Sequence, residues 1–99
     1  MRIYGWLKEL ADRQGSDLYL ATGAPACAKF DGALTALSVE TLAPGEVSNI
    51  ANELMDETQR QEFERDLEMN LAVSLPDVGR FRINIFRQRS EVSIVARFI

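Results

Sequence analysis

The chain has 99 residues, 46% of them apolar, and a formal charge of −4. That length allows one small domain with a thin core. It contains no apolar run long enough to span a bilayer, no signal-peptide pattern, and a single cysteine, Cys27, so an internal disulfide framework is excluded and a reducing, cytoplasmic setting is expected. In chain order, residues 2 to 14 are expected to form a helix, because Ile3, Leu7, Leu10 and Ala11 fall on one stripe. Tyr4 and Trp6 lie off the stripe, as edge cover or as partner contacts, and Gly15 is a natural stop tolerant of positive φ. "SDLYLATG" predicts a half-buried strand, with Leu18 and Leu20 alternating with Asp17 and Tyr19. "ACAKFDG" and "ALTALSV" predict a hairpin turning at Asp31-Gly32.

Pro44 suits the first turn of a helix carrying Val47, Ile50, Ala51, Leu54 and Met55. A second short helix is expected from near Asp56, capped by Asp56 and Gln59, with Phe63 and Leu67 on its inner face. The acids Glu57, Glu62, Glu64 and Asp66 read as its solvated side. Met69, Leu71, Val73 and Leu75 then alternate along a strand, "PDVG" turns the chain, and "GRFRINIFRQ" and "EVSIVARFI" form the last two strands. Three strands, two helices and three strands after an initial helix predict an α+β domain, an antiparallel sheet with helices on one face.

Charge is unevenly spread. Residues 79 to 99 hold Arg80, Arg82, Arg87, Arg89 and Arg97 against one acid, Glu91. If the last two strands form a hairpin with its tip at Arg89-Ser90, Phe81 faces Phe98, Ile83 faces Ala96 and Ile85 faces Ile94. All six are apolar and on one face, as a core register requires. The same register sets Arg82 directly opposite Arg97 on the other face, with Asn84 opposite Val95 and Phe86 opposite Ser93. Like charges so placed are unfavourable, by up to about 1 kcal/mol. Either both arginines extend into water or pair with acids elsewhere in the chain, or they form a two-pronged grip on an anion, since guanidinium matches phosphate oxygens.

Other chemistry is missing from these residues. There is no histidine, one cysteine cannot build a zinc site, and neither G-x-x-x-x-G-K-[ST] nor G-x-S-x-G occurs. The domain can lend arginines to a site but is not expected to be a whole one.

"GSDLYLATGAPACAKFDG" resembles the S-D-L-h-h-x-x-G-x-P-P-x-x-x-x-(D/N)-G signature near the start of type IV pilus retraction ATPases, the PilT/PilU family. "GRFRINIFRQRSEVSIVARFI" is similar to their R-F-R-V-N-x-F-x-Q-(R/N) segment and trailing R-x-I, and "LAPGEVSNIANELMDETQRQEFERDLEMNLAVSLP" to the helix pair and strand between. Gln88-Arg89 leans toward the PilU-like branch. Ala26 stands for a usual proline, Ala43 for a common N-cap serine, and Glu91 and Ser93 where glycines often occur.

The resemblance implies that residues 1–99 are a PAS-like N-terminal domain, without enzyme activity or cofactor of its own. The parent protein would add a RecA-like ATPase domain binding ATP and magnesium. In such hexamers the N-terminal domain packs on a neighbouring subunit's ATPase domain, and its arginines reach the nucleotide. Matched residue by residue, the nucleotide-facing pair is Arg82 and Arg97, with Arg80, Asn84 and Gln88 as further positions of the same motif. The implied setting is cytoplasmic, at the inner-membrane face and in contact with the pilus machinery there, with neither nucleic acid nor membrane insertion. The alternatives are the equivalent domain of a type II secretion or pilus-assembly ATPase, and a free-standing PAS-like ligand sensor. A nucleic-acid-binding sheet would interleave exposed aromatics for stacking, and Phe86 alone is expected on the arginine face.

Overall fold

A computed structural model describes all residues, 1 to 99. Helix α1 spans Arg2–Asp12, followed by β1 (Asp17–Leu20), β2 (Cys27–Phe30) and β3 (Ala33–Ala36). Helices α2 (Glu46–Leu54) and α3 (Glu57–Asp66) precede β4 (Glu68–Leu75), β5 (Gly79–Gln88) and β6 (Glu91–Phe98). The six strands make one sheet in the order β3-β2-β1-β6-β5-β4, antiparallel throughout. The first strand therefore lies beside the last, and the helices cover one face. This is the expected PAS-like α+β arrangement.

The core forms where the helical stripes meet the inward residues of the sheet. Ile3, Leu7 and Leu10 of α1 and Val47, Ile50 and Ala51 of α2 pack over Leu18, Ala28, Phe81, Ile83, Ile85, Ile94 and Ala96. Each of these is at most 2% exposed. Burying a Leu or Ile side chain contributes about 1.5–3 kcal/mol, so this face determines the register. The β5–β6 pairing is the one the apolar pattern demands, Phe81 to Phe98, Ile83 to Ala96 and Ile85 to Ile94. The Phe81 and Phe98 rings add a tilted contact, 5.3 Å between centroids. At the hairpin tip Arg89 and Ser90 both take positive φ, 54° and 64°, as a two-residue turn between twisted strands requires.

Four local expectations are corrected. The positive φ after α1 belongs to Gln14, at 56°; Gly15 is needed for space, since a Cβ there would lie 2.6 Å from Leu10 Cδ1 and 2.8 Å from the Phe30 ring. Pro44 sits in the turn before α2 rather than in its first turn, and Gly45 (φ 89°), not Ala43, occupies the N-cap. Leu67 is not on the inner face of α3. It ends the helix in a left-handed conformation (φ 61°), which turns its side chain out to 47% exposure. Asp17, expected on a solvated face, is only 7% exposed.

The capping of α3 is as expected. Asp56 Oδ1 accepts from the Gln59 amide at 2.8 Å and Gln59 Oε1 accepts from the Asp56 amide at 3.0 Å, a complete capping box. Trp6 is edge cover on α1, packed against the core with the Arg2 guanidinium 5.3 Å from its ring. Tyr4 stays 39% exposed.

Candidate functional site

The face of the sheet away from the helices carries Asp17, Lys29, Arg82, Asn84 and Arg97, and pairing lines them up in rows. One row reads Lys29 (β2), Asp17 (β1), Arg97 (β6), Arg82 (β5) and Ala72 (β4). The next reads Cys27, Tyr19, Val95, Asn84 and Asn70. Adjacent strands are about 4.8 Å apart, so each side chain in a row touches its neighbours' space. Arg82 and Arg97 are thus cross-strand partners, both exposed.

A hollow of about 270 Å³ opens at the middle of these rows. Asp17, Arg82, Arg97, Asn70, Asn84 and Val95 line it, with Leu71 and Ile83 completing the wall. Of the residues expected at a site, Arg82, Arg97 and Asn84 meet here. Arg80 lies on the same face beside Ser74, outside the hollow. Gln88 does not belong to it. It is exposed near the hairpin tip opposite Glu91, about 20 Å along the strand from Arg82.

The two arginines are not equivalent. Arg97 Nε donates to Asp17 Oδ1 at 3.3 Å. Arg82 makes neither an ion pair nor a side-chain hydrogen bond, and Arg80 and Arg89 form no ion pair. Of the remaining arginines of this hairpin, Arg87 is engaged, paired with Glu64 at 3.1 Å and stacked over Phe63 at 5.6 Å. Glu91 is engaged as well. Its Oε1 accepts from Thr22 Oγ1 at 2.6 Å, which ties it to the β1–β2 loop. Below the arginines a chain of amides is oriented by a carboxylate. Asn84 Nδ2 donates to Glu68 Oε1 at 3.0 Å and to Asn70 Oδ1 at 2.8 Å.

This arrangement supplies charge-assisted donors to an anion. A guanidinium without a carboxylate partner, beside a second one held at its inner nitrogen, suits the oxygens of a phosphate group. The reading of residues alone missed Asp17, Asn70 and Val95. Alternation in β1 did place Asp17 on this face, but nothing in the chain's local pattern says that β1 lies against β6. Tyr19 also shares the face, so Phe86 is not its single aromatic; both are half-buried and stand in other rows than the arginines.

No helix is long and apolar enough to cross a membrane, and no protein-family model matches the sequence. Individual proteins do match. The chain is 33% identical over 93 residues to the type IV pilus ATPase PilU of Pseudomonas aeruginosa, covering 94% of this chain and 24% of that protein. It is 33% identical over 89 residues to the type IV pilus retractation ATPase PilT of the same organism, covering 90% of this chain and 26% of the relative. A crystal structure of the pilus retraction motor PilT with bound ADP superposes with a TM-score of 0.84 at 32% identity, over 95% of this chain and 28% of the other. The chain thus spans about a quarter of the length of the relatives it matches. With one-third identity across nine-tenths of its residues, and a fold that superposes closely on the solved relative, the chain belongs to the PilT/PilU family and corresponds to the N-terminal domain of its members.

Proposed function

We propose that the chain is the nucleotide-facing domain of a type IV pilus retraction ATPase, serving twitching motility. In this reading the parent protein is a cytoplasmic hexameric motor at the inner-membrane face, in contact with the pilus machinery there. Its RecA-like domains bind ATP and magnesium. Each N-terminal domain packs on a neighbour's ATPase domain and presents Arg82 and Arg97 to the phosphates, coupling nucleotide state between subunits. By itself the domain turns over no ATP.

The observation that carries this reading is the state of Arg82. It lines a hollow on the open face, beside a second arginine, and no acid of its own chain neutralises it. Two guanidiniums side by side cost stability, and the cost is offset when an anion arrives from outside. The hollow lies on the open face rather than between sheet and helices, which favours a docking domain over an enclosed small ligand.

The test is ATP turnover by the parent protein. Arg82→Ala should lower it by on the order of a thousandfold, and Arg82→Lys should not restore it, because an ammonium lacks the planar fork. Normal turnover in Arg82→Ala would overturn the reading.

A further inference from the structure

Asp17 is the single buried charged residue of the domain, and the reading above gives it no task. It is also the one carboxylate that lines the hollow. It holds Arg97 by the inner nitrogen, Nε, and neither terminal nitrogen of Arg97 has a hydrogen-bond partner. The other ion pairs are made between side chains that are each at least 28% exposed, whereas the Asp17 side chain is 10% exposed. A buried carboxylate keeps its rotamer by packing, so it is a firm anchor for a long, otherwise mobile arginine. Its place in the row matters too. Asp17 stands on the far side of Arg97 from Arg82, which lets two cations occupy neighbouring strands without a second acid between them.

We propose that Asp17 is a positioning residue. It clamps Arg97 through Nε so that both terminal nitrogens stay free beside the Arg82 guanidinium, and the two arginines together receive one phosphoryl group. The inference rests on the nucleotide-facing reading and assigns the two arginines different supports: Arg97 is held, Arg82 is free. An Asp17 that only neutralised local charge would need no particular nitrogen of Arg97.

Two measurements test it. In this 99-residue domain, nitrogen NMR of the arginine Nε–H groups should show slow solvent exchange for Arg97 and fast exchange for Arg82. Asp17→Asn, whose amide oxygen still accepts from Nε, should keep the slow exchange, and Asp17→Ala should abolish it. Equal exchange at both arginines in the unaltered domain would overturn the proposal. In the parent protein, Asp17→Ala should lower kcat/KM for ATP about tenfold or more, the scale of a misplaced catalytic group. Asp17→Asn should stay within about threefold, and Asp17→Ala should cost nothing further in an Arg97→Ala background. If Arg82→Ala impairs turnover but Asp17→Ala does not, the clamp is wrong and the nucleotide reading stands. If Asp17→Ala slows the Arg97→Ala enzyme further, Asp17 acts through something other than Arg97. If Arg82→Ala is itself normal, the nucleotide reading fails, while the exchange measurement still decides whether the clamp exists. Should Asp17→Ala fail to fold, the Asp17→Asn variant decides, since a charge-only role predicts its loss too.

Discussion

The two faces of the β5–β6 hairpin share one register and differ in everything else. On the helix side the paired residues from Phe81 to Ile94 are nearly all sealed, with Ile83 at 1% and Ile85 at 0% exposure. On the other side the same pairing places Arg82 against Arg97, a contact that opposes folding. The buried face therefore holds the hairpin in place, and the open face carries a pair that stability alone would not retain. Register is set by burial worth several kcal/mol, so a few tenths spent on like charges cannot shift it.

The contrast can be broken most forcefully from the inside. Ile83→Ala should destabilise the domain by about 2–5 kcal/mol in urea unfolding, because a cavity opens at a sealed site. A loss below about 1 kcal/mol would mean that the inner face does not hold the hairpin. Gly15→Ala should cost about 1–3 kcal/mol, since its methyl group would press on Leu10 and Phe30.

Differences between the two arginines sharpen the comparison. Arg97→Ala leaves Asp17 without its partner and should cost about 1 kcal/mol, the penalty of an acceptor that water only partly satisfies. Asp17→Ala combined with Arg97→Ala should recover most of that loss, because both polar partners are then gone. Arg82→Ala should fall within about 0.5 kcal/mol of the unaltered domain, or slightly above it. Equal costs for the two single arginine changes would contradict the asymmetry seen in the row.

The smallest effect concerns acid. The Arg2 guanidinium, with the Ala43 backbone, holds the Glu46 carboxyl below its ordinary value. A carboxyl whose folded pKa is depressed contributes stability above its unfolded value and loses it as pH falls through the folded value. Glu46→Gln should therefore flatten the fall in melting temperature between about pH 6 and about pH 3, by a small amount because the pair is exposed. An unchanged acid limb would show that the pair does not couple to folding.

Much of this was legible in residue order. Periods of 3.6 and 2, with the Asp31-Gly32 turn marking the β2–β3 hairpin, located the nine elements, Asp56 and Gln59 marked the cap of α3, and the apolar alternation of the last two strands specified their register and so the meeting of Arg82 with Arg97. These are local facts, or pairings across a two-residue turn, and short-range sterics and burial decide them. Three things were not legible. Leu67 turned outward because helix termination, not periodicity, sets the conformation of its last residue. Gly15 was needed for a contact with Phe30, a residue from another element. Asp17 met Arg97 across 80 positions, because β1 closes the sheet against β6. The charge pattern within a strand is written in the chain itself, but which strands become neighbours is settled by how six strands and three helices jointly bury one apolar face. That packing turned two like charges into one free arginine and one held by a buried carboxylate.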